Sequence, residues 1–225
     1  MSPHDWRVGR ERRGLTQVVA AERFGVSQAY LSQLERGSRV AGAALAEKAA
    51  TFYGLATALP LPEPDAAVRV DSDRIEKDLA SLGYPKFAHV AEGRPRNPAG
   101  VVFGALTQKD LDSRLVEALP WVLAEYVDLD WVWLRDQAKL RNAQNRLGYL
   151  VRLAREVTQS EEKVLVLTAR EQELEEARLA REDTLCRESM PQRERTWLRT
   201  HRPAMAAHWN LLTSLTSREL PYASA

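Results

Sequence analysis

Gln28, Tyr30, Ser32 and Gln33 crowd into the stretch "SQAYLSQLERG", interleaved with Leu31 and Leu34. A glutamine amide carries a donor and an acceptor side by side. It can bond an adenine through N6 and N7, and a side chain as small as Ala29 can meet a thymine methyl. Gln33, just over one helical turn beyond Gln28, is expected to serve the same edge. This is chemistry for recognising an edge, not for breaking a bond. Signatures of bond-breaking are missing: the sequence has no GxxxxGK[ST], no GxGxxG after a strand and no HExxH. His4, His89, His201 and His208 are scattered. His201 and His208 could share a helical face, but Pro203 intervenes and no clear third ligand accompanies them. The expectation is a chain with no catalytic residues, no metal site and no cofactor.

Such side chains need a rigid element to present them. "LTQVVAAERFGVSQAYLSQLERG", from Leu15 to Gly37, holds two short apolar-periodic segments split by Gly25-Val26-Ser27. Thr16 suits the cap of the first, and Gly25 the left-handed residue that ends it. Val26 is the apolar plug of the turn, and Ser27 caps the second segment. Ala20, Ala21 and Phe24 form one inner face, and Leu31 and Leu34 the other. Alanines at the crossing let the helices approach closely. The geometry implied is a helix-turn-helix.

Over residues 5–55 the chain resembles the Cro/CI-like (XRE-type) helix-turn-helix family. The resemblance rests on Trp6-Arg7-x-x-Arg10-x-x-x-Gly14-Leu15-Thr16-Gln17, then Gly25-Val26-Ser27, then Leu31-Ser32-x-Leu34-Glu35-x-Gly37. It implies a lambda-repressor-like domain that binds double-stranded DNA with its third helix in the major groove. Base-reading would fall to Gln28, Ala29, Tyr30, Ser32 and Gln33. Phosphates would fall to Gln17, Ser27, Arg36, Ser38 and Arg39. The resemblance also implies an internal ion pair between Arg10 and Glu35. The chain departs from the family at Ala20, where a large aliphatic is usual, and at Val18 and Val19, where charges are usual. At Gly42 the family often has proline, so the helix near Ala43–Tyr53 is expected to start loosely. Val18 and Val19 could lie under the rest of the chain, meet a second copy, or simply be bare.

Charge supports an anionic partner for this segment only weakly. Residues 1–55 carry eight Lys/Arg against five Asp/Glu, while residues 56–225 carry twenty-four against twenty-six. Pro60, Pro62 and Pro64 mark residues 56–70 as an extended spacer. Residues 71–225 then read as a second, larger helical domain. Asp73-x-x-Glu76 looks like a capping box, Asn97-Pro98 like a helix start, and Pro120 like a break or kink. "DLDWVWLRDQAKLRNAQNRLGYLVRLAREV" reads as one amphipathic segment, with Asp130 as its cap and Arg141, Asn142, Gln144, Asn145 and Arg146 on a polar face for solvent or a partner. Val164–Glu188 reads as one long charged helix with Glu175–Arg178 and Arg178–Glu182 pairs. Trp121, Tyr126, Trp131, Trp133 and Tyr149 fall within thirty residues and are expected mainly in a core. Arg94 and Arg96 sit in a polar loop that could reach phosphate. No alternating strand is evident, and the fold class is all-α.

The single cysteine, Cys186, excludes an internal disulfide and a cysteine-based zinc site. No apolar run approaches the roughly 18 residues of a membrane span, and the first residues carry no apolar signal segment. The expected compartment is the cytoplasm. One helix-turn-helix reads only a few base pairs, so the expected function is a transcriptional regulator, a repressor, binding an inverted repeat as a homodimer paired through the helical domain. The alternative is an antitoxin-like or phage-defence regulator whose helical domain grips a toxin or effector protein. A DNA-targeted enzyme ranks third.

Overall fold

The computed structural model describes residues 1–55, 71–93 and 95–222. The proline-rich spacer at 56–70 and Arg94 lie outside the described residues.

Four helices build the first unit: α1 (Pro3–Arg12), α2 (Gln17–Phe24), α3 (Gln28–Arg36) and α4 (Ala43–Tyr53). The Thr16 hydroxyl accepts from the Val19 N–H and the Ser27 hydroxyl from the Tyr30 N–H. Gly25 and Gly37 end α2 and α3 at φ of 72° and 77°, where a side chain would be strained. α4 opens at Gly42 with no side-chain cap. Trp6, Phe24 and Tyr53 pack edge to face among Ala20, Ala21, Leu31, Leu34 and Ala49.

A second core fills the larger body, which holds α5 (Ser72–Ser81), α6 (Pro98–Leu106), α7 (Ser113–Glu125), α8 (Trp131–Leu140), α9 (Gln144–Val157), α10 (Glu161–Glu176), α11 (Gln192–His201) and α12 (Ala204–His208). β1 (Asp183–Thr184) and β2 (Leu211–Leu212) pair in parallel, a contact too short to leave an alternating pattern in the sequence. The protein is all-α apart from this ribbon and one isolated bridge among the described residues. Asn97 and Asp130 cap α6 and α8 as their positions predict.

Three local expectations fail, and at Pro120 the helix α7 is not broken. α5 starts at Ser72 with Asp71 before it, and no side-chain cap bond forms, so Asp73 and Glu76 are not a capping box. The long amphipathic segment is two helices, because Asn142 turns left-handed at φ 55° between α8 and α9. The long charged helix stops at Glu176, and the following residues leave it for β1. Arg178 still meets Glu175, at 2.9 Å, but its other partner is Asp5 of α1. Glu182 pairs with Arg199 instead, at 2.8 Å.

The polar residues that open α9 turn inward rather than to solvent. Gln144, Asn145 and Arg146 are buried and hold the C-terminal segment. The Asn145 amide donates to the Leu179 carbonyl at 2.9 Å and accepts the Leu179 N–H at 2.8 Å. Of the aromatic group, Trp131 and Tyr149 are core, Trp121 and Tyr126 pack against it, and Trp133 is 39% exposed.

On α9, Gly148 lies under the fully buried indole of Trp209. A Cβ there would fall 2.2 Å from two ring carbons. Gly148→Ala should therefore destabilise the body by about 1–3 kcal/mol or more, despite alanine's better helix propensity. A urea midpoint equal to or above the parent's would refute this packing.

Candidate nucleic-acid interface

The turn between α2 and α3 positions the interface. Leu31 and Leu34 anchor α3 in the core, so the residues between them face outward. Gln28 and Ala29 are exposed, and Ser32 and Gln33 are partly so. This face is not sealed against the body; α3 packs on α1 and α2.

Behind the face lies a connected polar chain. Arg10 grips Glu35 with two N–H bonds, Nε to Oε1 at 2.6 Å and a terminal N–H to Oε2 at 3.0 Å. The same guanidinium donates to the Leu15 carbonyl at 2.9 Å, and Arg7 reaches the Glu35 carbonyl at 3.3 Å. Gln17 then donates its Nε2 to Glu35 Oε2 at 2.8 Å. Its Oε1 accepts from Gln28 Nε2, also at 2.8 Å. Burial pushes the Glu35 carboxyl up, but hydrogen bonds from Arg10 and Gln17 outweigh it and hold the group below the usual range. Glu35 is thus an ionised anchor. Through Gln17 it orients the Gln28 amide, and the Gln28 Oε1 stays free to accept. The Arg10–Glu35 pair implied by the resemblance is present. The Gln17–Gln28 bond was not anticipated; glutamine at the first position of both helices was its only sign.

The other candidates are placed as follows. Ser27 is exposed and spends its oxygen on the cap. Arg36 donates Nε to the Ser32 carbonyl at 3.2 Å, leaving its terminal N–H groups outward. The Ser38 hydroxyl donates to the Gln33 carbonyl at 3.3 Å, so it must turn to give a phosphate a proton. The Arg39 guanidinium lies 5.2 Å above the Tyr30 ring, which also packs against the first core. Tyr30 is therefore partly occupied as a structural platform. Val18 and Val19 are 53% and 48% exposed, so the body does not cover them. Arg96 pairs with Asp78 at 2.9 Å, and its loop is not part of this surface.

His201 and His208 do not converge. His201 stacks on Trp197 with ring centroids 4.5 Å apart, at the end of α11, while His208 bonds Glu175 at 2.6 Å. Cys186 is buried, and burial pushes its thiol up to about 11. No helix among the described residues is long and apolar enough to cross a membrane.

Residues 7–60 match a family described as "Helix-turn-helix domain", of the XRE/Cro-like kind. No curated protein and no solved structure matches the chain.

Proposed function

We propose that this chain, built on a Cro-like helix-turn-helix domain, is a transcriptional repressor that binds an inverted-repeat operator as a homodimer. The DNA-binding character follows from the domain. One observation supports sequence-specific reading above all others: Gln28 stands on the open face of α3, oriented through Gln17 by the buried Glu35. An amide fixed before binding loses less rotamer freedom when it meets a base. Gln33 and Ala29 would read neighbouring positions, with Tyr30 and Ser32 beside them. Gln17 has a second amide hydrogen for a phosphate, and Ser27, Arg36, Ser38 and Arg39 flank the same surface. The body, residues 71–225, would pair two copies so that their α3 helices meet half-sites about 34 Å apart, or multiples of that. It is assigned no catalytic step.

Footprinting on the DNA upstream of the gene, at several salt concentrations, tests this reading. A protected inverted repeat is expected, with affinity falling steeply as salt rises, because phosphate contacts release counterions. Gln28→Ala should relax base choice at one position in each half-site, costing about 1–3 kcal/mol. Arg39→Ala should weaken all sequences alike. Unchanged base preference in the Gln28 variant, or equal affinity for every duplex, would sink the proposal.

A further inference from the structure

The seam between the two units carries a second cluster of polar groups. The Met1 ammonium donates to the Ala180 carbonyl at 3.1 Å. Arg178 bonds Asp5 of α1 and the His208 carbonyl, and its Nε donates to Glu175 Oε1 at 2.9 Å. Beside it, His4 of α1 meets His208 of α12 edge to face, with ring centroids 4.8 Å apart. Glu175 Oε2, on α10, lies 2.6 Å from His208 Nε2. One donor atom from each of His4, Glu175 and His208 lies within 4.8 Å of the others. The three line one cleft between the units, of about 400 Å³.

We propose that His4, Glu175 and His208 bind a divalent cation of the zinc class, which ties the helix-turn-helix unit to the helical body. Two imidazoles and one carboxylate are a donor set zinc prefers, and three protein ligands leave a fourth position to water. Bonds of about 2.0–2.2 Å in a tetrahedron put donors roughly 3.4 Å apart, so the 2.6 Å edge between Glu175 and His208 must open slightly while the longer edges close by little more than about an ångström. The exposed His4 side chain, which makes no hydrogen bond to a described residue, can supply that movement. The surroundings suit the ion. Arg178 holds the other oxygen of Glu175, which orients the carboxylate from behind. Its charge is answered by Asp5 as well as Glu175. Arg152 and Arg155, which line the same cleft, face Glu171 at 3.7 Å and 3.2 Å.

The test uses the untagged, full-length protein. Titration with zinc chloride should show one ion per chain, and cobalt(II) at the same site should develop the visible absorption of a tetrahedral complex. His4→Ala and His208→Ala should each weaken zinc binding at least tenfold, while His89→Ala and His201→Ala should leave it unchanged. His4 is exposed and outside both cores, so its variant keeps the fold even if the His208 variant does not. Failure of the parent protein to take up zinc overturns the proposal. So does one-to-one binding that persists in the His4 variant. Neither result depends on DNA binding.

Discussion

Arg10→Ala is expected to destabilise the helix-turn-helix unit by about 3–5 kcal/mol, because it leaves the Glu35 carboxylate buried and without its bidentate partner. The side chains of the pair are 13% and 2% exposed, so water cannot substitute. A unit of this size has only roughly 3–8 kcal/mol in total, at about 0.05–0.15 kcal/mol per residue. The variant should therefore lose protection over residues 1–55 in hydrogen–deuterium exchange while the body stays protected. DNA binding should be lost with it. The pH dependence has a definite sign. Glu35 has a lower pKa folded than unfolded, so its contribution is present above its unfolded value and lost as pH falls through the folded one. The parent unit should weaken in acid by that route, and the Arg10 variant should show less of that dependence. A double variant, Arg10→Met with Glu35→Leu, separates structure from reading. An apolar pair of similar volume should restore the fold, yet Gln17 and Gln28 would lose their anchor. Recovered stability with relaxed base choice is the expected result. Normal operator preference in the double variant would show that the Glu35–Gln17–Gln28 chain does not orient the reading amide.

Arg146→Ala should have the largest effect within the body, about 3 kcal/mol or more. Arg146 is buried on α9 and grips Asp183 of β1 with two bonds, at 2.7 Å and 2.9 Å. It also donates to the Leu106 carbonyl at 2.8 Å, at the end of α6. One side chain thus ties three separate stretches together. Burial opposes its charge, but the bonds to Asp183 prevail and raise its pKa. Removing it would strand Asp183 and the Leu106 carbonyl at once. Arg146→Lys should rescue little, since an ammonium cannot reproduce the planar fork. The readout is the denaturant midpoint of the body together with amide exchange near β1 and β2. A midpoint within about 0.5 kcal/mol of the parent's, the range of an ordinary surface substitution, would refute this role.

Much of the first unit was legible in the residues. Thr16, Gly25, Ser27 and Gly37 act over one turn of backbone, and their chemistry specifies caps and turns wherever they stand. The Leu31 and Leu34 stripe was equally local, and so was the outward face of Gln28 and Ala29. The body was less legible because its decisive contacts span many residues. Nothing near Arg146 in the chain announces Asp183, and nothing near Asn145 announces Leu179. Arg178 had an acceptable local partner in Glu182, but folding brought it Asp5 instead. His201 is the histidine nearest His208 in sequence, while the neighbours of His208 in space are His4 and Glu175.

The sequence alone therefore determined an all-α chain opening with a helix-turn-helix, and which side chains that motif turns outward. Those outcomes depend on hydrogen bonds and apolar spacing within a few residues, which any local stretch carries with it. Only the tertiary structure decided that the polar face of α9 is an interior clamp, that Glu35 orients Gln28 through Gln17, and that α1 meets the body at His208. Each of these depends on groups far apart along the chain. Their pairing is selected by which arrangement gives the most buried charges and polar atoms a partner, and that condition exists only once the helices have packed.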